Sequence, residues 1–297
     1  MVKKILNVGG IADEIPILKR YKVNSKGRDF VVGDIHGCYD IFMQLLDHVK
    51  FDKSKDRVFS VGDLIDRGPD SLKCLQLLDE SWFAAVVANH ESFMLDYAKT
   101  KRNEFLWIQN GGMWAATYIN DYPHPSQEYT DQDSWPFWNE LLPLVKQMPM
   151  MITVTAKNRK KFHLVHAEFG YEGVISDKKL LDKSFVKKIW VGENRGYSYG
   201  EYDGIWCRNK FQYFRGNEKI LIDENQRYFS ELSTVYSGHT IQDSGKAAKI
   251  GPWVCLDTGS FLYRKEFYGI TMIEHETGKT WLSNAFGVRE TKMNVVC

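Results

Sequence analysis

The sequence predicts an α/β fold with a largely parallel central sheet. Three observations point there. From Asp29 onward, short apolar runs alternate with stretches of helical periodicity, an order that implies right-handed crossovers between parallel strands. The first three runs end at Gly33-Asp34, Gly62-Asp63 and Ala88-Asn89, the sheet edge where ligands bind in open α/β folds. The 297 residues suffice for one large domain or two smaller ones. A chain of that length buries about 75% of its unfolded surface without a disulfide or metal staple.

Residues 30–32, Phe-Val-Val, make the first predicted strand, stopped by Gly33. Ile41, Phe42, Leu45, Leu46 and Val49 then recur at helical spacing. Residues 58–61 form the second strand. Pro69 and Asp70 open a helix carrying Leu72, Leu75 and Leu78. Residues 82–88 read as a third strand, followed by a helix with Phe93, Met94, Tyr97 and Ala98. A helix is expected over 104–118, a polar aromatic loop over 120–135 and a helix over 137–145. Beyond these the signals are mostly strands, at 151–155, 162–165, 234–236, 254–256, 269–273 and 280–282. The charged, aromatic stretch 171–229 reads as an elaborated surface segment.

Composition narrows the function. A 43% hydrophobic and 26% charged chain is neither disordered nor collagen-like. With 39 basic and 38 acidic side chains the net charge is +1, so no long-range field draws nucleic acid or acidic membrane. Any bound anion must be held by a local site. No apolar run approaches the roughly 20 residues that span a bilayer. Asp13 and Glu14 interrupt any signal-peptide core, and Val2 excludes myristoylation. Five cysteines without a C-x-x-C pair fit a reducing compartment. A cytoplasmic protein is expected.

The chemistry lies at the strand ends. The clusters are Gly33-Asp34-Ile35-His36-Gly37, Gly62-Asp63-Leu64-Ile65-Asp66-Arg67-Gly68, Ala88-Asn89-His90-Glu91, Val165-His166-Ala167-Glu168 and Ser237-Gly238-His239-Thr240. Any one alone is a weak signal: Asp-x-His is more often a capped turn, and a lone histidine is more often half-buried and satisfied. Five such loops at one sheet edge are a different matter. A mixed imidazole, carboxylate and amide set suits Mn, Fe or Zn, whereas calcium favours oxygen alone. Six candidate ligands exceed one tetrahedral ion and suit two, the arrangement that serves displacement at phosphorus. His48, His124 and His275 read as surface residues. His163 should face the side of its strand opposite His166.

On these motifs the sequence resembles the calcineurin-like metallophosphoesterases, and among them the bacterial and phage branch of the phosphoprotein phosphatases. Asn110-Gly111-Gly112, the 205–209 run Ile-Trp-Cys-Arg-Asn and Leu256-Asp257-Thr258-Gly259 extend the likeness. The resemblance implies a β-sandwich flanked by helices (α/β/β/α). It implies a catalytic domain at 29–285, between an extension at 1–28 and a tail at 286–297. By it, Asp34 and His36 bind one metal, Asp63 bridges, and Asn89, His166 and His239 complete the second site. Arg67 and Arg208 grip phosphoryl oxygens, with Asn89 also at the substrate. His90, oriented by Asp66, protonates the leaving group. Two divalent ions, foremost Mn²⁺ with Fe or Zn as alternatives, would hold the hydroxide that attacks phosphorus directly. Two departures stand out: Ala88 replaces the usual glycine, and Ala167-Glu168 follows His166 where the eukaryotic enzymes have Gly-Gly.

A phosphoserine or phosphothreonine protein or peptide is the expected substrate. The rival is a dinucleoside polyphosphate such as diadenosine tetraphosphate, whose hydrolases generally lack the aspartate at position 66. An inactive binding module is a remote third reading, since every ligand and acid position is filled.

Overall fold

The apolar runs form the inner strands of two stacked sheets. The computed structural model describes residues 8–100, 104–116, 136–169, 173–192, 203–208, 211 and 228–296. In the first sheet, β2 (Asp29–Val32), β3 (Arg57–Ser60) and β4 (Phe83–Ala85) are parallel. Beyond β2 lie the antiparallel β10 (Ile270–Glu274), β11 (Thr280–Asn284) and β12 (Gly287–Thr291). The second sheet runs β1 (Leu18–Tyr21), β5 (Met151–Thr155), β6 (Lys161–Leu164), β7 (Thr234–Ser237), β9 (Trp253–Cys255), β8 (Ala248–Ile250), β13 (Asn294–Val296). Both sheets are mixed. Parallel pairing joins β2–β4, β6 with β7 and β9, β1 with β5 and β8 with β13, so the expectation of one largely parallel sheet gives way to two mixed ones.

Strand alternation explains the layering. Val31, Phe59 and Val61 turn inward to meet Ile152, Val154, Phe162 and Leu164, closing an apolar layer between the sheets. Phe30, Val32 and Val58 turn outward to a helix layer with Phe42, Leu45 and Leu75. That layer contains α1 (Tyr39–His48) and α2 (Ser71–Gln76). Beyond the second sheet, Trp253 meets the rings of Phe169 and Phe229. This is a helix-flanked β-sandwich.

Several expectations are trimmed. The 82–88 run pairs only as β4, and its last residues already belong to the loop that leads into α3 (Asn89–Thr100). The 104–118 helix is α4 (Glu104–Gln109), broken at Gly111 and continued as a 3₁₀ turn, Gly112–Ala115. Gly111 has φ 108°, and a Cβ there would lie 2.6 Å from the Arg67 side chain, so close approach ends the helix. The helix near 137–145 is α5 (Pro136–Lys146). Residues 120–135 and His124 lie outside the described residues, as does much of 171–229, although that stretch contributes α6 (Lys183–Val191) and α7 (Asp203–Trp206). Residues set apart as an extension and a tail supply β1, β12 and β13. These strands escaped notice because Lys-Arg in β1 and the largely exposed β12 carry the polar pattern of sheet edges. Among the described residues, no helix is long and apolar enough to cross a membrane.

His48 is exposed, as expected. His275, expected at the surface, is half-buried: it stacks on Phe162 at 4.0 Å and shares a 2.9 Å hydrogen bond with the Tyr236 hydroxyl. His163 points away from the strand ends. It lies 2.9 Å from Thr153 Oγ1 and 3.2 Å from Asp177 Oδ1. Asp177 also accepts from the Ser233 amide and hydroxyl, each at 2.7 Å. Burial opposes the Asp177 charge, but these donors outweigh it and hold the carboxyl at about 2.

Asp177→Ala should cost about 1–3 kcal/mol at pH 7, the scale of an unsatisfied buried partner. A carboxylate depressed when folded stabilises above its unfolded pKa and loses that contribution as pH falls through the folded value. Urea midpoints of wild type and variant should therefore converge between about pH 4 and pH 2. A gap that persists at pH 2 would argue against this account.

Candidate metal centre

The site forms where the parallel strands of both sheets end. Asp34 and His36 follow β2, and Asp63, Asp66 and Arg67 follow β3. Asn89 and His90 open α3, while His166 and His239 each lie two residues beyond β6 and β7. All of these except Arg67 are buried. The loops are sewn together through the backbone: Ile35 and His36 both donate to the Asp63 carbonyl, at 3.0 and 2.7 Å. Glu91 takes the amides of Asp63, Leu64 and Ala88 at 3.1, 2.8 and 3.2 Å, tying in the third loop. Burial, with Asp63 nearby, pushes Glu91 up to about 8. Ala88 fits because Gly62 stands opposite; a Cβ on Gly62 would meet the Ala88 methyl at 2.7 Å.

Asp63 occupies the middle. Its Oδ1 accepts the His90 amide at 3.2 Å, while Oδ2 lies 3.4 Å from His36 Nε2 and 3.5 Å from His166 Nε2. Burial works against its charge, yet His166, His90, His36 and Arg67 prevail and keep it far below the usual carboxylate range. Ligand atoms of His36, Asp63 and His90 fall within 4.8 Å of one another, and so do those of Asp63, His166 and His239. Asp63 belongs to both groups, as a bridging ligand would.

The donor chemistry fits cations. His36 Nδ1 lies 3.0 Å from the Ile65 carbonyl and His166 Nδ1 2.8 Å from that of Val61. A carbonyl can only accept, so each ring donates there and its Nε2 carries a lone pair. The Asn89 Oδ1 sits 2.7 Å from His166 Nε2, a meeting of lone pairs that a shared cation relieves, and 3.0 Å from His239 Nδ1. Asp34 Oδ1 and His239 Nε2 are buried without a hydrogen-bond partner. Burial, then Asp257 and Asp63, raises Asp34 well above the carboxylate range. Burial likewise keeps His36, His166 and His239 below the usual imidazole value, and neutral imidazole is the form that binds metal.

The structure brings together all ten residues that the sequence singles out. His90 Nδ1 meets Asp66 Oδ2 at 2.6 Å, and its Nε2 is buried without a partner. Arg67 lies 2.7 Å from His36 Nε2 with its guanidinium over Phe261. Arg208 follows α7, near enough that its charge helps to lower His166 and His239. Sequence reasoning passed over Glu91 as a tie between loops, and it passed over Phe261, Trp107 and Trp114. The indole nitrogens of Trp107 and Trp114 reach Asp66 at 3.0 and 2.6 Å. One signal was present for Trp107: Gly112, where a Cβ would lie 2.5 Å from that ring, marks a close approach.

The family described as calcineurin-like phosphoesterase matches residues 30–240. Serine/threonine-protein phosphatase 1 of Salmonella typhimurium (strain LT2) is 50% identical over 98 residues, covering 33% of this chain and 45% of that protein. The aligned part thus spans about half the length of that relative. A symmetrical bis(5'-nucleosyl)-tetraphosphatase of Aggregatibacter actinomycetemcomitans is 44% identical over 241 residues, 77% of each chain. A solved protein serine/threonine phosphatase from Saccharomyces cerevisiae superposes with TM-score 0.51 at 14% identity, over 98% of this chain and 87% of that one. That likeness concerns the fold.

Gly238→Ala tests the geometry. A Cβ there would lie 1.8 Å from Asp34 Oδ1, so the carboxylate must be displaced. Metal affinity, read by equilibrium dialysis and metal analysis, should fall by about 10–100-fold, the usual effect of disturbing a ligand's support. The circular dichroism spectrum should be unchanged. Full metal retention would remove Asp34 from the centre.

Proposed function

The chain belongs to the calcineurin-like phosphoesterases, and we propose that within them it is a metal-dependent phosphomonoesterase acting on phosphoserine and phosphothreonine in proteins. The observation that carries this reading is the 2.6 Å contact between His90 and Asp66, with His90 Nε2 buried and unpartnered beside Asp63. A serine alkoxide is a poor leaving group and needs a proton as it departs. A nucleoside diphosphate leaving from a tetraphosphate is a stable anion and needs none. A buried, oriented imidazole is therefore matched to the phosphoester of an alcohol. The second reading, a dinucleoside tetraphosphatase, draws support from the relative that spans 77% of its own length.

In this reading Asp34 and His36 would hold one divalent ion, Asn89, His166 and His239 a second, and Asp63 both; the donor set favours Mn²⁺ over harder ions. When bound, such ions activate water and draw negative charge from the phosphoryl group. The rest falls to the chain. Arg67 and Arg208 bring planar forks to phosphoryl oxygens. Arg67 sits on the His36 side and Arg208 near His166 and His239, so substrate would enter between them. Asn89 would meet it at the floor. His90 hands a proton from Nε2 to the departing oxygen, while Asp66 holds Nδ1. The reading places the enzyme in the cytoplasm, in keeping with the buried free cysteines Cys38, Cys74 and Cys255.

Side-by-side turnover of a phosphoserine peptide and diadenosine tetraphosphate with Mn²⁺ should give the higher kcat/KM for the peptide. The reverse order would transfer the assignment to the second reading. His90→Asn should keep its metal and lose about 10²–10⁴ in rate on the phosphopeptide. Its loss on p-nitrophenyl phosphate should be clearly smaller, because p-nitrophenolate departs unprotonated. Equal losses would mean that His90 positions phosphate or water instead.

A further inference from the structure

We propose that Trp107 and Trp114 are positioning residues for the leaving-group acid, two indole donors that fix the Asp66 carboxylate so that His90 presents Nε2 to the departing oxygen. The inference rests on the reading of His90 as an acid and adds what holds it in place. Asp66 has no exposed surface. Trp107 Nε1 reaches both of its oxygens, at 3.1 and 3.0 Å, and Trp114 Nε1 reaches Oδ1 at 2.6 Å. An indole N–H can donate but never accept. Both oxygens of Asp66 therefore act as acceptors toward tryptophan, and the hydrogen shared with His90 resides on Nδ1. That leaves Nε2, buried without a hydrogen-bond partner, as the nitrogen available to the departing oxygen.

The segment that carries the indoles is built against the same loop. The two rings meet edge to face at 6.1 Å, a geometry that restrains both. Gly111 accepts the Arg67 amide at 3.0 Å and lies so close that a Cβ would strike the Arg67 side chain. Gly112 lies against the Trp107 ring in the same way. The Asn110-Gly111-Gly112 turn thus lets α4 and the following 3₁₀ turn close over Asp66 and Arg67 together. The backbone contacts of Asp66, its amide to Ser71 Oγ at 2.9 Å and its carbonyl from the Gly68 amide at 2.8 Å, leave the carboxylate to the three ring donors. A carboxylate has about four acceptor positions, so this one is nearly saturated and cannot turn away from His90.

The test compares substrates that differ only in leaving group: p-nitrophenyl phosphate, phenyl phosphate and a phosphoserine peptide. Trp114→Phe keeps an aromatic ring and removes the donor; it is half-buried and is the variant of choice should Trp107→Phe fold poorly. With metal content and melting temperature unchanged, kcat on phenyl phosphate should fall about 10-fold, the scale of one lost hydrogen bond to a charged group. The loss on p-nitrophenyl phosphate should be clearly smaller, and KM should stay put. In an Asp66→Asn background, Trp114→Phe should add no further leaving-group dependence, because the indole acts through that carboxylate. Equal losses on the two aryl phosphates, or an undiminished effect in the Asp66→Asn background, would overturn the proposal. Failure of the phosphopeptide alone would overturn the protein-phosphatase reading and leave the aryl phosphate comparison to decide this one.

Discussion

Three carboxylates, those of Asp34, Asp63 and Asp257, share one dry volume at the mouth of the sandwich, and the surrounding structure is organised around their mutual repulsion. Burial raises Asp34 and carries Asp257 to about 6, with Asp63 adding to both. Only Asp63 is held firmly charged, because His166, His90, His36 and Arg67 surround it. Leaving like charges out of water and close together is among the costliest arrangements in a protein. It persists where a cation repays it, and one Asp34 oxygen and one His239 nitrogen are likewise buried without a hydrogen-bond partner. The centre is thus an electrostatic deficit that the fold maintains. The two layers of apolar packing supply the stability that allows it.

Holding that deficit also strains the backbone. Of the seven non-glycine residues with left-handed φ among the described residues, five lie here: His36, Asp63, Asp66, Arg67 and His239. Each such residue costs of order 1–3 kcal/mol and survives only where its surroundings over-determine it. Those surroundings are visible. The Asp63 carbonyl takes two amides from the loop after β2, Glu91 takes three amides across two further loops, and Gly111 fastens Arg67. The strain and the ties run through the same residues, so neither is separable from the chemistry.

This division explains what could be read from the chain. The buried strands, the amphipathic α1 and the ligand types at strand ends are local signals, carried by alternation, helical periodicity and residue chemistry. They brought the candidate ligand residues to one sheet edge, and the family resemblance added the expected roles of His90 and Asp66. What escaped depends on distant contacts. Nothing local reveals that Lys-Arg at β1 is a sheet edge beside β5, or that the exposed β12 closes the first sheet. Nothing local separates a tryptophan whose N–H meets a carboxylate from one buried only for its area. Trp107 is as fully buried as any core residue, and its bond to Asp66 leaves no mark on the sequence around it. His275 was misread for the same reason, since its stacking partner Phe162 comes from another sheet.

The same geometry bears on how one scaffold serves both phosphoester and phosphoanhydride relatives. In the proposed reading the metal ligands and arginines act on the phosphoryl group, which is common to both substrate classes, and so they cannot tell them apart. The leaving group is where the classes differ, and only the acid side of the centre senses it. An alcohol must be protonated as it departs; a phosphate anion need not be. Asp66, Trp107 and Trp114 lie on that side, the indoles bonded to the Asp66 carboxylate and the carboxylate to His90. A chain that keeps a buried, triply bonded carboxylate there retains a costly device whose benefit appears only with a poor leaving group. In that reading the substrate preference of this chain is set by what stands behind His90, more than by the ligands of the metal centre.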